Sequence, residues 1–216
     1  MNRAVLILSL VIALPASAAP RGWSVPLRPG WVEDTAKVMA DPGMIGFARQ
    51  FTDHGDLFEG TAYRTADGSV MLVVATVEPL EKPPSLAMLE DTEVKARERA
   101  NQGGTEASYV AERTPLLIGA THRVAGKLAP MGNRRFIGLL PSGQARLVVA
   151  SCIGEPVICD PVLASIKVDE AALVQLATLP AEGSGGGLRA RRIGLVIGAL
   201  AVAGALVLML RRRRQR

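Results

Sequence analysis

The chain has 216 residues, is 49% hydrophobic by residue type but only 4% aromatic, and carries a net charge of +5 with a pI near 9.7. The basic excess is confined to the ends. Between residues 20 and 188 sixteen basic residues stand against all 20 acidic ones, a charge of −4, and eight basic residues lie from Arg189 onward. A segment of that sign with so few rings has neither the electrostatic footprint nor the stacking platform for a nucleic acid, so no nucleic-acid partner is expected.

In chain order, Met1-Asn-Arg3 is a short basic start. Ala4–Leu14 is an apolar stretch of secretory length, Pro15 breaks it, and Ala16-Ser17-Ala18 supplies a small-x-small cleavage site. Residues 1–18 therefore read as a signal peptide, the alternative being an uncleaved anchor. No cysteine follows at once, which argues against a lipid-anchored N-terminus.

Residues 19–170 are expected to form one exported domain, large enough for a real core. Gly22–Leu27 reads as a short strand ended by Pro29-Gly30, and Asp41-Pro-Gly43 splits Glu33–Phe51 into two short pieces. Leu57–Arg64 and Ser69–Val77 read as a hairpin turning at Asp67-Gly68. Val70–Ala75 is apolar without alternation, as in a central strand buried on both faces. Ser85 is placed to cap a helix through Asn101, with Leu86, Leu89, Ala96 and Ala100 on one face and Lys95, Arg97, Glu98 and Arg99 solvated. Strands are expected over Ser108–Arg113, Leu117–Lys127, Arg134–Leu140 and Gln144–Cys152, the last two joined at Pro141-Ser-Gly143. A closing helix is expected to start at Asp160-Pro161. The order predicts an α+β fold, an antiparallel sheet with helices packed on it.

Ser24-Val-Pro-Leu-Arg-Pro-Gly-Trp31 resembles the opening of PsbP-like and DcrB-like domains, a short strand followed by Pro-Gly-Trp. The hairpin, mid-chain helix, meander and closing Pro161–Val168 segment follow that family's order, so the likeness covers roughly residues 22–168. The resemblance implies an α/β/α sandwich and a non-enzymatic accessory role outside the cytoplasm, with no catalytic set to carry over.

Residues 171–192, including Glu182-Gly-Ser-Gly-Gly-Gly187, read as a flexible stalk. Ile193–Leu210 is an uncharged run of 18 residues. As a helix it is about 27 Å long, close to the roughly 30 Å of a bilayer core. Residues 211–216 form a basic cytoplasmic tail, so a single-pass membrane protein with its N-terminal domain outside is expected, in a bacterial periplasm or at a cell surface. Its expected partners are the lipid bilayer and, through the small-xxx-small pairs Gly194/Gly198 and Ala201/Ala205, a membrane protein or a second copy. The glycine stretch, apolar run and arginine cluster also resemble the layout of a GlyGly-type sorting signal, which implies a surface protein released by processing.

Cys152 and Cys159 are expected to form a structural disulfide in an exported domain. Of the two histidines, His54 sits with Asp53 and Asp56 in a polar turn that holds a metal only with help from elsewhere, and His122 is expected half-buried on a strand. No nucleophile elbow, phosphate loop or zinc-protease motif occurs in the exported segment. Trp23 and Trp31 read as core anchors rather than a binding platform, and Arg134 and Arg135 must face opposite sides of their sheet. No catalytic residue, metal ligand or cofactor is assigned. A membrane-tethered accessory or interaction domain is expected, the alternative being an extracytoplasmic hydrolase-like enzyme whose mark would be a polar cluster around a histidine in a deep pocket.

Overall fold

The structure, a computed structural model, describes residues 22–79, 82–83, 85–102, 108–125 and 130–181. The expected signal peptide 1–18, span 193–210 with Gly194, Gly198, Ala201 and Ala205, and tail 211–216 lie outside the described residues. No helix among the described residues is long and apolar enough to cross a membrane.

The fold is α+β. In chain order its elements are β1 (Trp23–Ser24), β2 (Trp31–Glu33), α1 (Thr35–Met39), α2 (Pro42–Thr52), β3 (Leu57–Thr65), β4 (Met71–Glu78) and α3 (Leu86–Gln102). They continue as β5 (Ser108–Arg113), β6 (Leu117–Ala125), β7 (Pro130–Leu139), β8 (Ala145–Ile153), α4 (Pro156–Ser165) and β9 (Lys167–Val168). Seven strands form one antiparallel sheet in the order β2-β3-β4-β8-β7-β6-β5, and β1 pairs with β9 in a separate ribbon.

The apolar run expected as a central strand lies next to the middle strand of the sheet, and its alternation sorts the helices. Met71, Val73 and Val77 share a core with Val38 of α1, Met44, Phe47 and Phe51 of α2, and Leu89 of α3. Leu72 and Val74 point the other way, into a core with Cys159, Val162 and Leu163 of α4. Local chemistry sets the helix starts. The Asp41 carboxylate accepts from Gly43 N at 2.8 Å before Pro42 opens α2. The Ser85 hydroxyl accepts from Met88 N at 3.2 Å, as expected of the α3 cap. Asp67 and Gly68, the latter at φ +70°, make the β3–β4 turn.

Several boundaries differ from expectation, and β1 is only Trp23–Ser24 of the expected Gly22–Leu27. α4 begins at Pro156 and holds Pro161 inside it, because Gly154 at φ +141° turns the chain sharply out of β8 and the residue that fits a first helical turn is Pro156. Pro161 only deprives the Val157 carbonyl, one turn earlier, of a donor. β7 begins at Pro130 rather than Arg134, since Met131, Gly132 and Asn133 pair with both neighbouring strands. Residues 171–181 are not stalk. Val174 N donates to Leu139 O at 2.8 Å, Leu176 is buried with its N–H on Pro115 O at 3.0 Å, and Leu86 N donates to Pro180 O at 2.9 Å. The apolar side chains of that segment finish the core at one end of the sheet, while residues 182–192 lie outside the described residues.

The sulfurs of Cys152 and Cys159 are 2.05 Å apart, a disulfide-compatible pair joining the end of β8 to the first turn of α4. Alkylation in denaturant without reductant should therefore add no label to the intact mass, and two labels would refute the bond. Cys152→Ser should lower stability by about 2–3 kcal/mol, measured by urea titration under oxidising conditions.

Candidate functional site

The concentration of buried polar groups lies beneath α3. On the face covered by α1–α3, cross-strand pairing sets His122 of β6 against Asn133 of β7, and Asn133 against Ser151 of β8. One step along the same face, Arg135 of β7 meets Glu93 of α3, with Nε 3.0 and 3.1 Å from the two carboxylate oxygens. All five residues are at most 7% exposed. Glu93 falls four residues after the buried Leu89, so the helical period that buries one buries the other.

The electrostatics follow from burial. Arg135 and Glu93 neutralise each other. Burial, and then the charge of Arg135, push the His122 pKa down from the ordinary 6.5 to about 4, so the ring is neutral at pH 7. Its Nδ1, like Asn133 Nδ2, has no hydrogen-bond partner among the described residues. The Ser151 hydroxyl donates to Asn133 Oδ1 at 2.6 Å, not to His122. A nucleophile–base pair needs that hydrogen bond and an approach for substrate; here the hydroxyl is committed elsewhere and the row is buried. The cluster that would mark an enzyme is present, and its residues are buried in the core. His122, expected half-buried, is fully buried because its strand runs under a helix.

The opposite face holds a groove. Arg134 points there, as its neighbour's orientation requires. Its guanidinium binds Glu112 with Nε at 3.1 Å and Nη2 at 2.7 Å, caps the end of α4 by donating to the carbonyls of Leu163, Ala164 and Ile166 at 2.9, 2.8 and 3.2 Å, and lies 4.7 Å from the Phe136 ring centre. Burial alone would raise the Glu112 pKa, but the hydrogen bonds and charge of Arg134, with a bond from Thr121, hold it below the usual value. Beside this pair opens a groove of about 390 Å³ floored by Leu117, Gly119, Phe136, Ile166 and Val168.

Other candidates are not brought together. His54 and Asp53 stand exposed in the turn after α2, and among the described residues no three His, Cys, Asp or Glu side chains gather as a metal site. Trp23 and Trp31 are half-buried against the α4-side core. Cys152 and Cys159 are buried, at 0% and 1% exposure, away from any substrate. Glu93, Asn133 and Ser151 were not singled out from the sequence. Glu93 had a readable signal, a lone carboxylate on the apolar stripe of a helix, whereas the His122–Asn133–Ser151 row depends on strand register. Comparison with family models, characterised proteins and solved structures found no match to this chain.

Two outcomes follow from this chemistry. His122 is neutral when folded and protonates near its ordinary pKa when unfolded, so stability is full above about pH 6.5 and falls as the pH drops toward 4. Between pH 7 and pH 5 the loss should reach about 2 kcal/mol in urea titrations, and His122→Gln should flatten that slope. Arg135→Met, which strands Glu93 as a buried charge, should cost about 3–5 kcal/mol, while Arg135→Met combined with Glu93→Leu should recover most of it. A double variant no better than the single would refute the pairing.

Proposed function

We propose that the chain is a non-catalytic interaction domain, exported, tethered to a membrane by the helix 193–210 and serving an accessory role there. The observation that carries this reading is the sealing of the acid–base groups. His122, Ser151, Glu93 and Arg135 are buried, and Ser151 is bonded to Asn133, so the domain offers partners its surface rather than a reaction centre. Two surface grooves among the described residues, of about 280 and 390 Å³, are largely apolar, which suits binding. Helices on both faces of an antiparallel sheet agree with the sandwich that the likeness of Ser24–Trp31 to PsbP-like and DcrB-like openings implies.

The tether reading rests on sequence. The cleavage site at Ala16-Ser17-Ala18, the 18 uncharged residues and Arg211–Arg216 together support an outside domain and an inside tail. The small-xxx-small pairs Gly194/Gly198 and Ala201/Ala205 suit close approach of a second span, from a partner or another copy.

A reporter fused after Arg216 should be active only in the cytoplasm, and one fused after Ala181 only outside it. Reversed activities would sink the topology. Intact mass of the membrane-bound form should retain the residues after 193; a chain ending near the glycine stretch would replace the permanent tether with a processed tail.

A further inference from the structure

The segment that carries the chain out of the domain, residues 174–181, lies along the end of the sheet as a strap. It is fastened at three places. Val174 N donates to Leu139 O at the end of β7 at 2.8 Å, and Leu176 N donates to Pro115 O in the β5–β6 turn at 3.0 Å. At the third place the strap accepts: Leu86 N and Ala87 N, at the start of α3, donate to the carbonyls of Pro180 and Ala181 at 2.9 and 3.3 Å. A helix leaves its first amides without internal partners. Here the Ser85 hydroxyl takes one of them, Met88 N, and the last residues before the linker take two more. The cap of α3 and the exit of the chain are one structure.

This fastening is light beside the sheet. In residues 174–181 one side chain, Leu176, is buried, at 3% exposure, with Val174 and Leu179 half-buried against the same core. β8, by contrast, is bonded along its length to both β4 and β7. The strap also leaves space under it, a groove of about 280 Å³ between Gln175, Leu176 and Ala177 on one side and Leu86 and residues 113–115 on the other. Behind the strap the chain is firmly held. Lys167 and Val168 pair with β1, Asp169 N donates to Gly22 O at 2.9 Å, Arg134 binds the carbonyls at the end of α4, and Cys159 is linked to Cys152. Local opening follows such differences in burial and bonding, so the strap can part while the sandwich stays folded.

Resting on the tether reading above, we propose that residues 174–181 are a releasable strap that gives the domain two tether lengths. Docked, the strap leaves residues 182–192 between the domain and the span, at most about 37 Å when extended. Released, residues 174–192 serve, at most about 65 Å. A pull on the chain beyond Ala181 reaches the fastenings one after another, first the two at α3, then Leu176, then Val174, instead of sharing the load among them. It then meets the β1–β9 ribbon, Arg134 and the disulfide, where release stops. A partner held by the domain at a distance beyond the short reach supplies that pull, and the reach grows without unfolding the sheet. Release also strips the carbonyls from Leu86 N and Ala87 N, so the start of α3 loosens with the strap.

The test uses the full chain. Hydrogen exchange in detergent micelles, read by mass spectrometry, should show the peptide holding Val174 and Leu176 and the peptide holding Leu86 and Ala87 exchanging together, about tenfold or more faster than β8. Leu176→Asp, which places a carboxylate in the apolar seat, should speed both about tenfold or more and leave β8 unchanged. For the two lengths, the chain is inserted in a nanodisc and pulled from p-azidophenylalanine placed at the exposed Val157. It should lengthen in a discrete, reversible step of no more than about 27 Å, below the force that unfolds the sheet, and Leu176→Asp should abolish that step. Exchange of the strap only as slow as that of β8, equal speeding of β8 by Leu176→Asp, or lengthening in a single all-or-none step would overturn the proposal. Exchange is independent of topology, so a strap that stays shut leaves the tether reading standing, whereas reversed topology reporters remove both.

Discussion

Two adjacent strands, β4 and β8, carry apolar side chains on both faces. In β4 every residue from Met71 to Val77 is buried, and in β8 the interruptions from Ala145 to Ile153 are Arg146 and Ser151. Each fully buried aliphatic side chain is worth about 1.5–3 kcal/mol relative to exposure, so neither face can be left to water. One side is met by α1, α2 and α3, with Phe51 stacked on Phe58 at 5.6 Å. The other is met by α4, which is fixed at both ends: Cys159 ties its first turn to β8, and Arg134 binds the carbonyls at its last turn. The short ribbon of β1 and β9 and the half-buried Trp23 and Trp31 extend that second cover.

Within this apolar frame, adjacent arginines on β7 face opposite ways and each has its own carboxylate. Arg135 meets Glu93 of α3 inside the core, and Arg134 meets Glu112 of β5 at the groove. A slip of one residue in β7 would exchange the two faces. It would bring Arg135 to α4 and Arg134 under α3, and displace Asn133 from Ser151. Burying the Arg135–Glu93 pair contributes less stability than an apolar pair of the same size. Its consequence is structural: together the two pairs admit one register of β7 and one placement of α3 over it.

How much of this was readable depends on the range of the interaction. The β3–β4 hairpin, the Ser85 cap and the Asp41 break are set by neighbours a few residues apart, and they stand where Asp67-Gly68, Ser85 and Asp41-Pro-Gly43 put them. The unalternating run at Val70–Ala75 identified a strand buried on both sides because that pattern is itself a statement about burial. α4 starts at Pro156 rather than at Asp160-Pro161 because two prolines compete for its first position, and the turn at Gly154 favours Pro156. Residues 171–181 looked like linker because their partners, Leu139, Pro115 and Leu86, are remote in sequence. The polar row of His122, Asn133 and Ser151 was illegible for the same reason: three strands must be laid in register before the residues become neighbours.

The covers that complete the two cores also decide which surface is left. α4, pinned by Cys159 and Arg134, lies over the middle of the sheet and stops short of β5. The end segment closes the sheet where the chain departs at Ala181, beside the β5–β6 turn. At the far end of the strands the Cys152–Cys159 link holds out Val157, at 79% exposure. Val110 of β5, at 61% exposure, lies on the flank that α4 does not reach. The apolar demand of β4 and β8 fixes the helices at the centre, and the disulfide, Arg134 and the end segment hold those covers in place.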